Sequence, residues 1–380
     1  MKWDKVKLTD VCDFQGGTQP PKASWSADFK PGYIRMLQIR DFTQGKDSYI
    51  EYVKDSKTLK KCQEKDILIG RYGASIGKIL TGLSGAYNVA LVKTVPSNKI
   101  NRQYLYYYLL AKPFQNFIQN AGSRAAQAGF NKEELGTLFL PLPPLHIQEQ
   151  IANTLDKADA LRRKDQELLT KYDKLAQAIF YDMFGDPVKN EKGINKISLG
   201  NLTEINSGST PSREKSEYYN GSIPWVKTTE VKGSVITEVE EHISELGLQN
   251  SSCNIYEKGS VVIAMYGQGK TRGNVGLLNV NAATNQACAV IRPSKNLISE
   301  FLFYQLKYSY EDLRSLGRGG NQPNLNVGIV KNYSVMVPSI NAQSEFCYQI
   351  EKLNSVSEIS KKNQLNSIRL FKTLIHQYFN

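Results

Sequence analysis

The chain has 380 residues, of which 41% are hydrophobic and 22% charged, a composition typical of globular proteins with room for two to four domains. Its net charge of +12 is uneven, with +9 in residues 1–140 and +2 in residues 195–335. The sequence contains no run of 18 apolar residues and no apolar segment of a secretory signal, so we expect a cytoplasmic protein without a membrane span.

The predicted elements follow the same order twice. A helical turn or two near 7–14 leads to a Gly-Thr-Gln-Pro loop and an extended segment at 33–40. A strand at 66–70 then ends in a Tyr-Gly loop, and a strand at 87–95 precedes an aromatic helix at 101–120. A Gly-rich polar loop and a last strand lead to a long helix. The corresponding elements of the second half are predicted at 198–206, 223–229, 259–265, 284–292 and 297–316.

Direct comparison of the two halves indicates a tandem repeat. Residues 8–20 align with 199–211 at an offset of 191, and residues 67–73 align with 261–267. The other matches, which include Gln148 with Gln343, keep offsets between 189 and 199. We therefore expect two copies of one fold.

A long amphipathic helix is predicted at the end of each copy, at 147–184 and about 342–379. We expect the helices to pack as an antiparallel pair with a globular body at each end, related by a pseudo-twofold axis. The alternatives are one globular core or a flexible tether, and the short segment 185–197 disfavours the tether. The predicted buried stripes are Ile151, Leu155, Ala158, Leu161, Leu168, Tyr172, Leu175, Ile179 and Met183, and Phe346, Ile350, Leu353, Val356, Ile359, Leu365, Ile368, Phe371 and Ile375.

Signals for catalysis are weak. Residues 264–271 fit a relaxed phosphate-binding loop, but residues 272–276 are a poor helix start, and such a loop must open a helix. Asp55 and Lys57 with two upstream aspartates resemble a nuclease set that the second copy does not repeat. The five scattered cysteines and three histidines match neither a disulfide framework nor a metal or nucleophile site. We expect no catalytic residues, no metal and no cofactor.

Loop chemistry is the stronger signal. Arg pairs with guanine and Asn or Gln with adenine in the major groove, and Lys and Thr suit phosphates. The basic excess in the first half also favours a polyanionic partner, although proteins without one often share such an excess. Residues of these types fill the Tyr-Gly loops at Arg71, Tyr72, Ser75 and Lys78, and at Tyr266, Gln268, Lys270, Thr271 and Arg272. They also fill the Gly-rich loops at Arg124, Gln127 and Asn131, and at Arg318, Asn321, Gln322 and Asn324.

These features together resemble the DNA specificity subunits of type I restriction-modification systems. The resemblance rests on Gly-Ser-Thr-Pro at 208–211, Ile-Pro-Trp at 223–225, the Pro-Leu-Pro-Pro lead-in at 141–144 and Met-Phe-Gly-Asp-Pro at 183–187. The two-copy layout covers the whole chain. The first copy departs from the pattern, with Gly-Thr-Gln-Pro at 17–20 and Ile-Arg-Met at 34–36.

The resemblance implies an α+β chain with two target recognition domains at 1–145 and 185–340 and spacer helices at 146–184 and 341–380. Each domain would read one part of a split, asymmetric site in double-stranded DNA, and an insertion in the spacer would change the unread gap. Two methyltransferase subunits would dock on the helices, with Arg162, Arg163, Lys164 and Glu167 as the candidate surface, and restriction subunits would join through the complex. Further DNA-binding candidates are Thr18, Gln19, Arg35, Gln38, Ser209, Thr210, Lys227 and Thr228.

Two other classes of function stay open on the sequence. One is an enzyme that uses a nucleoside triphosphate or cleaves nucleic acid, for which nucleotide binding lost in Lys270→Ala would be diagnostic. The other is a stand-alone DNA-binding or scaffold protein, which co-purification with a methyltransferase would exclude.

Overall fold

The computed structural model describes residues 3–44, 49–124, 129–267, 269–317 and 324–380, without the side chains of 121–124. The chain divides into two compact units. The first unit contains residues 1–166 and 361–380, and the second contains residues 167–360. Each long helix therefore contributes one part to each unit. The domain boundaries predicted from the sequence lie at the helix ends instead, and they stay a prediction.

Strands and short helices alternate in both units. The first unit contains β1 (Lys5–Lys7), β2 (Cys12–Gly16), β3 (Trp25–Ser26), β4 (Tyr33–Leu37), α1 (Ile39–Thr43), β5 (Tyr52–Lys54), β6 (Lys61–Cys62), β7 (Leu68–Gly70), β8 (Ile79–Leu80), β9 (Gly85–Tyr87), β10 (Leu91–Pro96), α2 (Arg102–Leu110), α3 (Lys112–Arg124), α4 (Lys132–Leu135) and β11 (Phe139–Pro141), followed by the long helix α5 (Leu145–Phe184). The second contains β12 (Lys196–Ser198), α6 (Leu199–Leu202), β13 (Ile205–Ser207), β14 (Tyr219–Val226), β15 (Ser234–Ile236), β16 (His242–Ile243), α7 (Glu245–Gln249), β17 (Val261–Ala264), β18 (Val275–Leu278), β19 (Ala283–Thr284), β20 (Cys288–Ile291), α8 (Ser299–Tyr308), α9 (Tyr310–Ser315), α10 (Val327–Asn332) and β21 (Ser334–Met336), followed by α11 (Ile340–Phe379).

Equivalent sheets form in the two units. The central sheet has the order β2-β10-β7-β8 in the first unit and β13-β20-β17-β18-β15 in the second. A two-stranded sheet, β1-β11 or β12-β21, lies before each long helix in the chain. The remaining sheets differ, with the five strands β3-β5-β4-β9-β6 in one unit and the three strands β16-β14-β19 in the other. The α+β class and the two tandem copies are confirmed.

The long helices pack in antiparallel fashion inside each unit. In the first unit, Ile151 and Leu155 share a buried core with Ile375 and Phe379. In the second unit, the rings of Phe180 and Phe346 are 5.3 Å apart, and Phe180 also stacks on Phe301 at 5.6 Å. Burial of these large side chains supplies the main favourable term for helix pairing. Among the helices of the described ranges, none has the length and apolar composition of a membrane span.

The predicted helix stripes are wrong in their middle parts. Leu161, Leu168 and Leu175 of α5 are exposed, as are Val356, Ile359 and Leu365 of α11. Apart from the predicted Ala158, the buried positions there hold small or polar residues instead, namely Ala176, Ser360 and Ser367. Small side chains let two helices approach closely, so the inner face follows size rather than hydrophobicity.

The helical turn predicted near 7–14 is a single 3-10 turn at Leu8–Asp10, and it ends there because β2 pairs with β10 from Cys12 onward. Two other short predictions are wrong. The strand predicted at 87–95 is two strands in different sheets, separated where the Asn88 side chain accepts the Ala90 N–H at 3.2 Å. The helix predicted at 101–120 breaks at Ala111, because Pro113 starts a new helix.

Candidate nucleic-acid interface

Each Tyr-Gly loop is the tip of an antiparallel hairpin. Residues 71–78 connect β7 to β8, and residues 265–274 connect β17 to β18. Tyr72 and Tyr266 hold equivalent positions and are both 39% exposed. Because a strand follows the loop at 265–274 where a helix is needed, residues 264–271 lack the geometry of a phosphate-binding loop.

In the first unit this hairpin lies against the end of the Gly-rich loop. The Nε of Arg71 donates to the carbonyl of Phe130 at 3.2 Å, and the guanidinium lies 5.1 Å from the Tyr72 ring centre. A Cβ on Gly129 would stand 2.7 Å from the same ring, so only glycine fits there. The described end of the Gly-rich loop is therefore in contact with the hairpin tip.

The second unit brings its two loops together through different bonds. The Leu325 N–H donates to the carbonyl of Met265 at 3.0 Å, and Arg314 donates to the carbonyl of Arg272 at 3.1 Å. A Cβ on Gly317 would lie 3.3 Å from the Arg272 Nε. Tyr310 donates its hydroxyl to the carbonyl of Lys270 at 2.8 Å.

Several predicted loop residues lie outside the described part of the chain. They are Gln127, Gln268, Arg318, Asn321 and Gln322, together with the side chain of Arg124. Two asparagines that follow the Gly-rich loops have a structural role instead. Asn131 accepts the Glu134 N–H at 2.8 Å and Asn326 accepts the Ile329 N–H at 2.8 Å, so each caps the helix that follows.

The Gly-Thr-Gln-Pro and Gly-Ser-Thr-Pro loops are held by tryptophans from different strands. Trp25 of β3 donates its indole N–H to the Pro20 carbonyl at 3.1 Å, whereas Trp225 of β14 donates to the Ser209 carbonyl at 3.0 Å. A Cβ on Gly17 would be 2.0 Å from the Asn88 carbonyl oxygen, and one on Gly208 would be 2.1 Å from that of Thr284. In the first copy, which lacks the Ile-Pro-Trp motif, a tryptophan from another strand thus holds the loop by the same kind of hydrogen bond.

Several more of the predicted DNA-binding side chains contact residues of their own unit. Arg35 forms an ion pair with Asp41 at 2.7 Å, and Gln38 donates to Glu51 at 2.5 Å. Lys227 donates to Glu240 at 3.1 Å and Glu241 at 2.8 Å, and Thr210 bonds to Gln286. The side chains of Gln19, Lys78 and Lys270 are exposed, and those of Thr18, Ser75, Ser209, Thr228 and Thr271 are half-buried.

Acidic residues set the charge state around Lys227. Its hydrogen bonds to Glu241 and Glu240 raise the pKa of the lysine. Hydrogen bonds from Arg213 and Lys227 lower the pKa of Glu241. The raised pKa of Lys227 and the lowered pKa of Glu241 keep this pair ionised at neutral pH, so the two charges offset one another on this part of the second unit.

The predicted partner surface divides into two kinds of position. Arg162 and Arg163 both bind the buried Asp159 at 2.6 Å, and Arg162 also lies 5.5 Å from the Phe371 ring centre of α11. Arg162 therefore contributes to the packing of α5 against α11 more than to the exposed surface of α5. Lys164 and Glu167 are exposed.

Two features of the surface were not predicted. One is the set of exposed leucines on α5 and α11, which the sequence assigned to the buried stripe. The other is the outer face of the sheet around β4 and β5, where Tyr33, Arg35 and Tyr52 lie. The alternation of Tyr33 and Arg35 with Ile34 and Met36 is the signal that could have identified it.

The chain is similar to known proteins along most of its length. The family described as type I restriction modification DNA specificity domain matches residues 1–171 and 191–370. The MjaIX specificity subunit of Methanocaldococcus jannaschii is 23% identical over 369 residues, covering 88% of this chain and 83% of the relative. The EcoR124I/EcoR124II specificity subunit of Escherichia coli is 23% identical over 284 residues, covering 70% and 67%.

A solved structure shares the fold along the whole chain. The type I restriction-modification S subunit from M. genitalium matches with a TM-score of 0.58 at 17% identity, covering 100% of this chain and 96% of the other. A structure described as complex assembly and conformational transition of the type I R-M system gives a TM-score of 0.53 at 14% identity. The tandem family match over most of the sequence and this shared fold lead to one conclusion: the chain belongs to the type I restriction-modification DNA specificity family.

Proposed function

We propose that this chain, a type I specificity subunit without catalysis of its own, reads a bipartite and asymmetric site in double-stranded DNA. One observation carries the proposal: in both units the hairpin tip contacts the described end of the Gly-rich loop, yet the loop residues of the two copies differ. A shared frame with different loop residues selects a different base sequence in each half.

The loop tips are the proposed reading surface in each half. Tyr72 and Lys78 of the first unit, and Tyr266 and Lys270 of the second, are exposed at the ends of rigid hairpins. A rigid scaffold that presents polar loop residues suits base contacts, because little conformational entropy is lost on binding. Arg71 and Arg272 would position the second loop, since both guanidinium groups lie against it.

The outer faces of the long helices are the proposed docking sites for two methyltransferase subunits. Leu161 and Leu370 are each 46% exposed in the first unit, and Val356 and Leu175 are 48% and 47% exposed in the second. These residues are equivalent in the repeat, at an offset of 195. Exposed apolar residues at repeated positions favour a protein partner on each unit, with the restriction subunits joining through the complex.

The test is to map methylated bases genome-wide in cells with and without this gene. The expected result is loss of one methylated motif with two defined parts and unread bases between them. Restoring the gene should restore the motif. An unchanged methylation pattern, or a motif that is continuous, would contradict the proposal.

A further inference from the structure

One sheet face in the first unit carries aromatic and basic side chains together. In the register of β4 and β5, Tyr33 lies opposite Lys54 and Arg35 lies opposite Tyr52. The intervening residues Ile34, Met36 and Val53 pack in a buried cluster on the other side. Because successive side chains of a strand point to opposite faces, these four residues share the outer face.

Two residues before β4 extend this face. The Phe29 ring lies 5.5 Å from that of Tyr52 in an edge-to-face contact and is 66% exposed. The Lys30 Nζ lies 5.8 Å from the Tyr33 ring centre. We call this surface the tyrosine face, formed by Phe29, Lys30, Tyr33, Arg35, Tyr52 and Lys54.

The tyrosine face is continuous with a loop that was predicted to bind DNA. Lys54 lines an open groove of about 440 Å³ together with Thr18, Gln19 and Ser24. A ligand on the Gly-Thr-Gln-Pro loop would therefore reach the lysine end of the face.

The charge of this region differs between the two copies. Residues 30–61 hold eight Lys and Arg against four Asp and Glu, a net charge of +4. The equivalent residues 219–250 hold two against five, a net charge of −3, and there Lys227 is bound to Glu240 and Glu241. Of these two equivalent regions, only the one in the first unit has the positive charge that complements a polyanion.

We propose that the tyrosine face binds the sugar-phosphate backbone of duplex DNA, independently of sequence, beside the bases read by the first unit. The ammonium groups of Lys30 and Lys54 and the hydroxyls of the tyrosines donate to phosphate oxygens, and the Phe29 ring packs on deoxyribose. The second unit has no such contact, so the two units hold DNA unequally. This inference rests on the proposed function.

The experiment measures how binding of the assembled complex to a labelled 40-base-pair duplex of scrambled sequence depends on salt. The slope of log K against log salt concentration is negative, and each lost phosphate contact makes it less negative by about 0.9. The double variant Lys30→Gln/Lys54→Gln should therefore make the slope less negative by about 2. Phe29→Ser should weaken binding without changing the slope. The matched control, Lys232→Gln/Lys258→Gln in the second unit, removes two exposed lysines and should leave the slope unchanged.

Three outcomes overturn the inference. The first is an unchanged slope in the Lys30/Lys54 variant, and the second is an equal change of slope in the control. The third is that a 40-nucleotide single strand binds more tightly than the duplex and that Phe29→Ser abolishes this tighter binding.

A second duplex with the target motif separates the two proposals. The Lys30/Lys54 variant should bind both duplexes more weakly by the same factor, so the ratio of the two affinities should stay unchanged. If the unaltered complex shows no preference for the motif, the proposed function fails, while the slope on scrambled DNA still decides the tyrosine face.

Discussion

Two buried glutamines show how single residues fix the start of each long helix. Gln148 accepts the Asn101 N–H at 2.7 Å and donates to the Pro143 carbonyl at 2.8 Å. Gln343 repeats this with the Ile298 N–H at 2.7 Å and the Pro338 carbonyl at 2.9 Å. Each glutamine thus satisfies backbone groups of the loop before the aromatic helix and of its own helix lead-in.

Removing either glutamine should destabilise its own unit. Gln148→Ala or Gln343→Ala leaves a partly buried backbone N–H without this partner, at a cost of about 1–3 kcal/mol. The measurement is the free energy of unfolding in urea. The control is Gln150, which is exposed on the same helix as Gln148. Gln150→Ala should change the free energy of unfolding by less than about 0.5 kcal/mol. Equal losses in all three variants would contradict the assigned role.

A carboxyl group in the second unit predicts a pH dependence. Burial, then the nearby Glu351, raises the pKa of Glu300. The equivalent residue of the first unit is Gln103, which donates to Asp156 at 2.7 Å. Because the folded-state pKa of Glu300 is raised, its stabilising contribution is full below its usual pKa and is lost as the pH rises through the raised value.

Glu300→Gln should therefore remove this pH dependence and increase stability at neutral pH. The measurement is the free energy of unfolding in urea at about pH 4 and about pH 7. From the lower to the higher pH, the unaltered chain should lose stability relative to the variant. Glu351→Gln should give a smaller effect in the same direction. If the difference between variant and unaltered chain is the same at both pH values, Glu300 does not titrate in this range.

At the scale of the element, the long helices separate an inner face from an outer one. The inner face holds large rings near the helix ends and small residues such as Ser360 and Ser367 in the middle. The outer face keeps leucines in contact with solvent. Burying such residues against a partner contributes about 25 cal/mol per Å² of apolar surface, which favours association without being needed for folding.

Charged substitutions on the outer face should separate docking from stability. Leu161→Asp/Leu370→Asp should alter the free energy of unfolding by less than about 0.5 kcal/mol, yet abolish co-purification with a methyltransferase subunit. Leu155→Ala, in the buried core of the same helix, should instead cost about 2–5 kcal/mol. Full retention of the methyltransferase by the double aspartate variant would place the docking site elsewhere.

At the scale of the whole molecule, the separate cores of the two units favour the proposal that each copy reads DNA on its own. Most secondary-structure elements recur in order, and each unit has its own hydrophobic core. Such cores allow one copy to be exchanged while the other keeps its fold.

Exchange of residues 185–335 for those of a relative should change one half of the methylated motif only. Methylation mapping of cells that carry the hybrid measures both halves at once. Exchange of residues 1–145 is the reciprocal control and should change the other half. A hybrid in which both halves change would show that the copies do not read DNA independently.

The sequence alone determined the α+β class, the tandem repeat, the long helices and the family, because these follow from periodicity and from motifs such as Gly-Ser-Thr-Pro. It also identified Gln148 and Gln343 as equivalent, without their role. These features depend on residues close together in the chain.

Only the tertiary structure decided which face of each helix is buried and which polar side chains are already bonded. Leu161 is outside and Ser360 inside because helix packing depends on shape across two segments far apart in sequence. Arg35 and Lys227 contact carboxylates that no local pattern predicts. The tyrosine face likewise exists only because β4 and β5 pair in one particular register, which long-range strand contacts set.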